Sequence, residues 1–510
     1  MELKGYIDPF SDASKELAIQ IDEASTNQDV EELYNLINKS KKIIESEDDA
    51  SRAHIYFTIG TAYGEIANIY FSSNRVDLKN EQIYYFRKSI ELVQLEELSK
   101  LEYTPYIKGL ERILYTNYGN VLDTCGRKIA AIEQYKKVLN IDSNFGMALG
   151  NLGIAYQHYA MLLSNKTHIN YLNYFAYHLL KNAIESEDPN IYEEAKNNFR
   201  SIIEMYNPKY INEVLLKPLD IQNVKYSNNE EYEYRNWVLN NNLFLNPLND
   251  LPVSELCFAE DIIQLPAILT DNNEKPVFHG MFNQFKQEYI YARYEYYESY
   301  QVTGDTHFAD KGTYLVNFAD YPQYSIRVER LKSSFKTLYS MLDKIAFFIN
   351  SYFKLGINER DVSFHSIWKE EKKGKNEYKY KNILKVNDNF ALDSIYWISR
   401  DFYEKVKNSP NPKSKRIRDI RNALEHKYVK IYWDDVLEGR INGEVDDLAF
   451  YISESELFRE TYNLLKLIRE VIICLSLTVG IEEKRKRQDH DDSKLLPTIA
   501  LTEYDDDWKY

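Results

Sequence analysis

A helical pattern with a period of 34 residues runs through the first 200 positions of the chain. Gly119 and Gly153 lie 34 positions apart, and Tyr115 and Leu149 stand four positions before them. A glycine at a fixed place on a helix removes the side chain at that point, so that a second helix can approach closely. Apolar residues at the right spacing for such a second helix follow the first glycine: Ala131, Tyr135 and Val138. Repetition with this period predicts a row of paired helices.

This pattern resembles the tetratricopeptide repeat, which places two helices in 34 residues. An earlier copy contains Tyr56 and Gly60, and a last copy regains its second helix near Ala176 and Leu180. The resemblance covers about 150 residues and implies an irregular helical solenoid at residues 1–200, whose concave face binds a peptide or protein segment. The alternative is another helical bundle with small residues at its contacts. The sequence does not identify the partner.

The rest of the chain is organised differently. Six prolines separate short apolar pieces in residues 201–280, which predicts an ordered connector. Helical periodicity resumes in residues 281–487, where a capping box at Ser453 opens the last helix. An acidic, loosely held tail is expected at residues 488–510. The helices expected in the second half are Phe282–Ser299, Ser325–Leu355, Phe390–Val406 and Leu457–Arg485.

Two short stretches, Tyr428–Trp433 and Leu448–Ile452, have the composition of strands. The piece between them is rich in turn-forming residues and contains Asn442-Gly443, a frequent hairpin turn. The sequence therefore predicts an all-α fold, namely a repeat solenoid followed by a helical bundle, with one possible small β-hairpin.

Composition excludes several classes of protein. A formal net charge of -16 argues against a general nucleic-acid binder, so that any RNA contact must be local. The three cysteines, Cys125, Cys257 and Cys474, form neither a disulfide framework nor a zinc pattern, which favours a reducing cytoplasm. No signal pattern opens the chain, and its most apolar run is too short to cross a bilayer. We expect a cytoplasmic protein without a membrane segment, metal or cofactor.

The most basic stretch of this acidic chain is residues 413–430, which follow Pro412 and have the composition of a helix. Within it, Arg421, Asn422 and His426 bring together a guanidinium, an amide and an imidazole. Six further cations of the stretch are candidate RNA contacts: Lys413, Lys415, Arg416, Arg418, Lys427 and Lys430.

These three residue types suit RNA cleavage without a metal, because the RNA 2′-hydroxyl is itself the nucleophile. His426 can take and give protons near neutral pH, and a permanently charged Arg421 can stabilise charge that gathers on the phosphate. Asn422 lies one helical turn before His426 and can orient its ring. Five positions turn a helix by roughly 140°, so that Arg421 and His426 of one chain diverge. This divergence predicts a homodimer in which two copies of the helix share one phosphate.

A simpler interpretation is a solvated helix on which Arg421 pairs with Glu425 one turn later and His426 has no role. An arginine followed by a histidine at this distance is expected about once by chance in such a chain. Two lesser candidates have structural explanations. His365 fits a packing or loop residue, and Arg293 fits an internal ion-pair partner of a nearby glutamate.

The second half as a whole resembles the HEPN superfamily of helical-bundle domains. The signature of that superfamily, an arginine, a polar residue and a histidine within a few positions, corresponds to Arg421, Asn422 and His426. A bacterial HEPN family with tetratricopeptide-like N-terminal helices is similar over about residues 230–485. The stretches that carry this similarity are WVLNNNLFLNPLNDLP, FNQFKQEYIYAR, SMLDKIAFFINSYF and RNALEHKYVKI.

The resemblance implies a metal-independent endoribonuclease that acts as a homodimer, serves as a toxin or antiviral effector, and is regulated through its N-terminal repeats. Some HEPN domains only bind nucleotides or proteins, so a non-catalytic interaction or nucleotide-binding scaffold is the alternative. The sequence identifies neither the RNA target nor the trigger.

Overall fold

The computed structural model is almost entirely helical, as the sequence predicts. The short strands that it describes form two small sheets. Every described helix is either too short or too polar to span a bilayer. The description covers residues 5–69, 75–189, 191–219, 226–269, 275–301, 306–316, 320–371, 378–380, 389–402, 409–441, 446–489, 502 and 504–509.

Nine helices form the N-terminal region within the described residues. Side chains of Ser11, Asp29 and Asn165 accept hydrogen bonds from backbone N–H groups at the start of three of these helices, which fixes where each one begins. The last of the nine continues through residue 200, the predicted end of the repeats. The helices are α1 (Asp12–Thr26), α2 (Val30–Ile43), α3 (Asp49–Ile69), α4 (Arg75–Val93), α5 (Thr104–Thr124), α6 (Lys128–Ile141), α7 (Gly146–Leu162), α8 (Lys166–Glu185) and α9 (Glu193–Glu204).

Close contacts between paired helices occur at the predicted glycines. A Cβ atom added to Gly119 on α5 would lie 2.6 Å from the ring of Tyr135 on α6. A Cβ atom added to Gly153 on α7 would lie 2.8 Å from the side chain of Leu180 on α8. Only glycine allows the backbones to come this close. The helix pairing predicted from the 34-residue period is therefore confirmed at these positions.

The segment that follows is ordered and buried. It contains α10 (Pro208–Tyr210) and α11 (Asn229–Asn240), and residues 243–251 are all buried. Arg469 on the last helix donates hydrogen bonds of 2.7 and 3.1 Å to Asp250 of this segment. Arg293 is also buried and paired, but its partner is Asp261 of the same segment and not the glutamate that the sequence suggested. These ion pairs fix the segment against the second half.

The second half surrounds one long helix. Residues 468–479 of that helix are buried without interruption, because neighbouring helices pack on all of its sides. Ser453 accepts a hydrogen bond from the N–H group of Glu456 and thereby caps its first turn, as predicted. The helices are α12 (Val277–Tyr300), α13 (Ile326–Tyr352), α14 (Phe390–Arg400), α15 (Ser414–His426), α16 (Asp434–Ile441) and the long helix α17 (Glu454–Gln488).

The predicted β-hairpin is wrong. Strands β3 and β4 pair in parallel, with Tyr428 opposite Ala449, whereas a hairpin requires antiparallel strands. In parallel strands the chain must return to the starting end of the first strand before the second strand begins, and a tight turn is too short for this. Helix α16 lies in the connection that makes this return. Asn442 and Gly443 lie outside the described residues. The described strands are β1 (Lys369–Glu371), β2 (Tyr378–Tyr380), β3 (Tyr428–Tyr432) and β4 (Ala449–Ser453).

The N-terminal helices share buried contacts with the second half. Gly126, between α5 and α6, has a φ of 76°, and a Cβ atom added there would lie 2.3 Å from the carbonyl oxygen of Phe390 at the start of α14. Arg127, the next residue, donates a 2.7 Å hydrogen bond to Glu470 on α17, and both side chains are buried. One hydrophobic core also continues across both regions. The predicted boundaries therefore separate parts that pack directly on each other.

Candidate active site

Helix α15 presents the predicted motif on the surface of the second half. It starts two residues after Pro412 and ends at His426, because Lys427 adopts an extended backbone and β3 begins at the next residue. The helix packs against α13. Its buried residues recur at helical spacing and are Ile417, Ile420 and Ala423. The motif residues lie outside this buried set.

Arg421 is half-buried between α15 and α13. Its Nη1 atom donates a 3.0 Å hydrogen bond to Oδ1 of Asn422. Its guanidinium carbon lies 5.8 Å from the centre of the Tyr339 ring on α13, within the range of a cation–π contact. The ion pair with Glu425 that a simple solvated helix would form is not present among the described residues. Arg421 therefore contacts Asn422 and Tyr339 and not Glu425.

His426 is exposed at the C-terminal end of α15. The spacing of the two residues predicts that the amide of Asn422 orients the imidazole. In the structure the amide oxygen of Asn422 accepts a hydrogen bond from Arg421 instead. Within the described part of the chain, no side chain forms a hydrogen bond with the imidazole. An exposed imidazole without a protein partner is available to exchange protons with a ligand.

Arg421 and His426 lie roughly 140° apart around α15, because five positions separate them on this helix. The arginine is turned toward Asn422 and Tyr339, while the histidine stands at the end of the helix. Each chain therefore presents one group for proton transfer and one permanent positive charge at different places on α15.

Arg416, a predicted RNA contact, is engaged within the fold. Its Nε and Nη2 atoms each donate a 2.7 Å hydrogen bond to the carboxylate of Glu456 on α17, and its guanidinium lies 4.7 Å from the Phe450 ring on β4. These hydrogen bonds raise the pKa of Arg416 above its ordinary value. In a complete capping box the carboxylate of Glu456 would accept a hydrogen bond from the backbone N–H of Ser453. Here that carboxylate is bound by Arg416. Arg416 ties α15 to α17.

Lys430 is likewise engaged. Its side chain is buried, and its Nζ atom lies 2.9 Å from a carboxylate oxygen of Asp320 and 3.2 Å from one of Asp446. The hydrogen bond with Asp320 is the main reason why the pKa of Lys430 is raised. This lysine fixes β3 to the segment that precedes α13.

The remaining predicted RNA contacts differ in accessibility. Lys415 and Lys427 are exposed and form no ion pair with any residue that the structure describes. Arg418 is half-buried, and the Nζ atom of Lys413 lies 3.7 Å from a carboxylate oxygen of Glu91 on α4. Accessible positive charge near the motif is therefore concentrated at Lys415 and Lys427.

Two aromatic residues beside the motif, Tyr339 and Tyr428, were not predicted from the sequence to lie near the candidate site. Tyr339 follows Leu338 of the apolar seam on α13, and periodicity alone does not assign a residue beside the seam to a contact. Tyr428 was interpreted only as strand composition, although it is exposed two positions after His426. An aromatic residue that close to a candidate catalytic histidine was the signal that could have singled it out.

Comparison with known proteins supports the resemblance seen in the sequence. The family model described as LA2681-like HEPN matches residues 269–482, a region that includes α15 and its motif. No curated protein and no solved structure matches the chain. The family match stops short of the N-terminal helices, for which similarity to tetratricopeptide repeats rests on the sequence pattern. Residues 269–482 are therefore similar to the LA2681-like HEPN family, over less than half of the chain.

Proposed function

We propose that this protein is a metal-independent endoribonuclease with Arg421, Asn422 and His426 as its catalytic residues. One observation carries the proposal. The matched HEPN region contains the helix on which all three residues lie, and the imidazole of His426 is exposed at the end of that helix. The residue types supply proton transfer and charge stabilisation, which are the two needs of RNA cleavage by its own 2′-hydroxyl.

In the proposed reaction the RNA 2′-oxygen attacks the adjacent phosphorus and gives its proton to a neutral imidazole. The bond from phosphorus to the 5′-oxygen then breaks, and a protonated imidazole gives that oxygen its proton. The products are a 2′,3′-cyclic phosphate and a 5′-hydroxyl. Arg421 stabilises the charge on the non-bridging phosphate oxygens. His426 provides the imidazole, and such proton transfer contributes about 10²–10⁴-fold in rate.

The working form in this proposal is a homodimer in which two copies of α15 face each other across a two-fold axis. The divergence of Arg421 and His426 within one chain supports it, because the partner copy completes the set around one phosphate. When Arg421 turns to the phosphate, the amide of Asn422 loses its present partner and can orient the imidazole of His426 one turn away. Lys415 and Lys427 contact the RNA backbone.

We also propose a biological role as a toxin or antiviral effector in the reducing cytoplasm. The N-terminal helices would bind a protein or peptide that controls the nuclease. Their buried contacts with α14 and α17 support this role, because the ion pair between Glu456 and Arg416 joins α17 to α15.

A second candidate function is binding of a small anion without cleavage. A cavity of about 440 Å³ lies between α6 and α17, and Lys136 lines it. The ammonium group of Lys136 donates to the carbonyl oxygen of Leu251, and burial lowers its pKa because nearby carboxylates do not fully offset the lost hydration. This candidate assigns a nucleotide phosphate to the cavity, where Arg127, Lys136 and Lys137 lie among the lining residues together with the carboxylates of Glu133 and Asp250.

Incubation of the purified protein with total RNA separates the two candidates. We expect cleavage that persists in EDTA and yields 2′,3′-cyclic phosphate ends. We expect His426→Ala to abolish cleavage, whereas His168→Ala on α8 serves as the control and keeps it. Nucleotides that raise the melting temperature, together with intact RNA under all conditions, would favour the second candidate. Strict dependence on Mg²⁺ would contradict the first.

A further inference from the structure

Tyr339 on α13 provides the aromatic contact of Arg421, and its own ring is held by two others. The ring of Phe335, one turn earlier on the same helix, stacks on it with the ring centres 6.3 Å apart. The ring of Phe402, two positions after the end of α14, meets it edge-on, with the ring centres 5.7 Å apart and the planes at 87°. Both are favourable arrangements of aromatic pairs. The Tyr339 ring is therefore fixed from two sides.

Arg421 keeps its charge in this contact. A carboxylate partner offsets the positive charge of a guanidinium, as Glu456 does for Arg416 five positions earlier on α15. The Tyr339 ring attracts the cation through its quadrupole and carries no charge of its own. Of the five N–H donors of a guanidinium, one is used within the described part of the chain, in the bond to Asn422. The arginine is thus held with charge and donors left for a phosphate.

A series of contacts leads from the Tyr339 ring to the N-terminal helices. Phe402 directly follows Asp401, whose buried carboxylate accepts hydrogen bonds of 2.6 and 3.0 Å from Arg87 on α4. Successive Cα atoms are about 3.8 Å apart across a rigid peptide unit, so that Asp401 cannot be displaced far without moving Phe402. The position of the ring beside Arg421 is therefore linked to the position of an N-terminal helix.

We propose that Tyr339 is the positioning residue for Arg421. Phe402 and the pair of Arg87 with Asp401 set the place of its ring. The inference rests on the proposed nuclease function, and it adds a residue to the site and a route by which the N-terminal helices act on it. A long side chain loses conformational entropy when it becomes fixed. The ring imposes that loss before RNA binds, so that Arg421 is already in place when the chemical step begins.

The first experiment compares steady-state RNA cleavage by full-length variants well below their melting temperatures. We expect Tyr339→Leu to lower kcat about 2- to 30-fold and to leave KM nearly unchanged, the effect of one lost cation–π contact. Tyr339→Phe keeps the ring and should stay within about twofold of the wild type. Phe347→Leu is the matched control, because Phe347 is an exposed aromatic residue of the same helix, and it should leave kcat unchanged.

The second experiment determines whether Tyr339 acts through Arg421. In a background that carries Arg421→Ala, Tyr339→Leu should cause no further loss of kcat, because the group that it positions is absent. Arg87→Lys and Phe402→Leu should each lower kcat by about twofold or more in the wild-type background, and neither should do so beside Arg421→Ala. Arg87→Lys keeps the positive charge and loses the paired donors, so that it disturbs Asp401 less than an alanine would.

A third measurement is independent of activity. Phenylglyoxal reacts with guanidinium groups, and peptide mass spectrometry reports the extent of reaction at each arginine. Arg421 should react about twofold faster or more in Tyr339→Leu than in the wild type, because the ring no longer holds it. Phe347→Leu should leave the rate at Arg421 unchanged.

Each contrary result overturns a defined part of the inference. Wild-type kcat in Tyr339→Leu removes the positioning role and leaves the nuclease proposal standing. Equal loss in the Leu and Phe variants replaces the ring by the hydroxyl group. A further loss beside Arg421→Ala means that Tyr339 acts through another group. Wild-type kcat in both Arg87→Lys and Phe402→Leu removes the link to the N-terminal helices. Wild-type protein that does not cleave RNA refutes the nuclease proposal, and the phenylglyoxal rates then decide whether Tyr339 holds Arg421.

Discussion

Arg87 on α4 donates two hydrogen bonds, of 2.6 and 3.0 Å, to the two carboxylate oxygens of Asp401, the residue that follows α14. The same guanidinium donates a third, of 3.0 Å, to the carbonyl oxygen of Pro410. One N-terminal arginine thus contacts the chain at both ends of the stretch between α14 and α15. The N-terminal helices are in this way linked to the start of the helix that carries the motif.

Arg87→Ala should destabilise the protein strongly. The carboxylate of Asp401 is buried and would lose its main cationic partner. Among the described residues, its remaining cationic partner would be Arg127, whose guanidinium is 3.5 Å away. Loss of one partner from a buried pair costs about 3–5 kcal/mol. Arg112→Ala is the matched control, because its pair with Asp142, the residue that follows α6, is one-third exposed and contributes about 1 kcal/mol or less. Urea unfolding measures both, and equal effects would contradict the prediction.

Arg421→Ala should lower kcat by about 10²–10³-fold if the guanidinium stabilises the transition state. Arg421→Lys keeps the charge but loses the planar pair of donors, and we expect it to recover part of the rate and not all of it. The melting temperature should change little in either variant, because Arg421 makes its contacts at the surface of α15 and α13. Full activity of Arg421→Ala would remove this residue from the site.

A mixture of wild-type and His426→Ala subunits tests the shared site. Random exchange of equal amounts leaves about a quarter of the dimers fully wild type. If cleavage needs His426 from both copies, activity per total protein should fall to about that fraction. A value of one half would mean that each His426 works independently of the His426 of the other copy. Sedimentation that shows only monomers during cleavage would also contradict the dimer.

Lys427 and Arg416 should behave differently although both are cations of the same predicted set. Lys427→Ala should weaken RNA binding and lower the slope of its salt dependence by about one, with no loss of stability. Arg416→Ala leaves the carboxylate of Glu456 without its bidentate partner and should lower the melting temperature. Salt titrations and melting curves measure the two effects, and a reversed pattern would show that the ion pair of Arg416 opens for RNA.

Asp393, in the first turn of α14, should make stability depend on pH. Burial raises the pKa of its carboxyl group to about 7, from an ordinary value near 3.8. Between these two values the folded protein binds more protons than the unfolded chain, so that this group lowers stability as pH rises. Asp393→Asn should match the wild type near pH 4 and exceed it by roughly 1–3 kcal/mol at pH 8. An equal pH dependence in both proteins would contradict the raised pKa.

Local sequence patterns predicted much of the fold. Spacing along the sequence predicted the close helix contacts at Gly119 and Gly153 and the helix cap at Ser453. Each of these features involves residues of only one or two helices that are near each other in the sequence. The direction of the β3–β4 pair was missed because it depends on how α16 returns the chain, and composition does not report this.

The candidate site residues remain a prediction from the sequence, and their contacts could not be predicted from it. Arg421, Asn422 and His426 can be read from one short stretch. The partners that decide their roles come from elsewhere: Tyr339 lies 82 positions before Arg421, and Arg416 meets Glu456 40 positions later. Sequence spacing on one helix cannot reveal an ion pair with another helix, which is why Arg416 and Lys430 were grouped with exposed cations.

The parallel pairing of β3 and β4 leaves this protein a place where chain length can vary. Five register pairs, from Tyr428 opposite Ala449 to Tyr432 opposite Ser453, fix the end of α15 relative to the start of α17. The connection between α16 and β4 is not part of these five pairs. It leads to Ala449, which is paired with Tyr428, the residue that follows Lys427. Insertions in this connection can therefore reshape the surface next to His426 without moving α15. In evolutionary terms, this surface and the helix that carries the motif can change independently here.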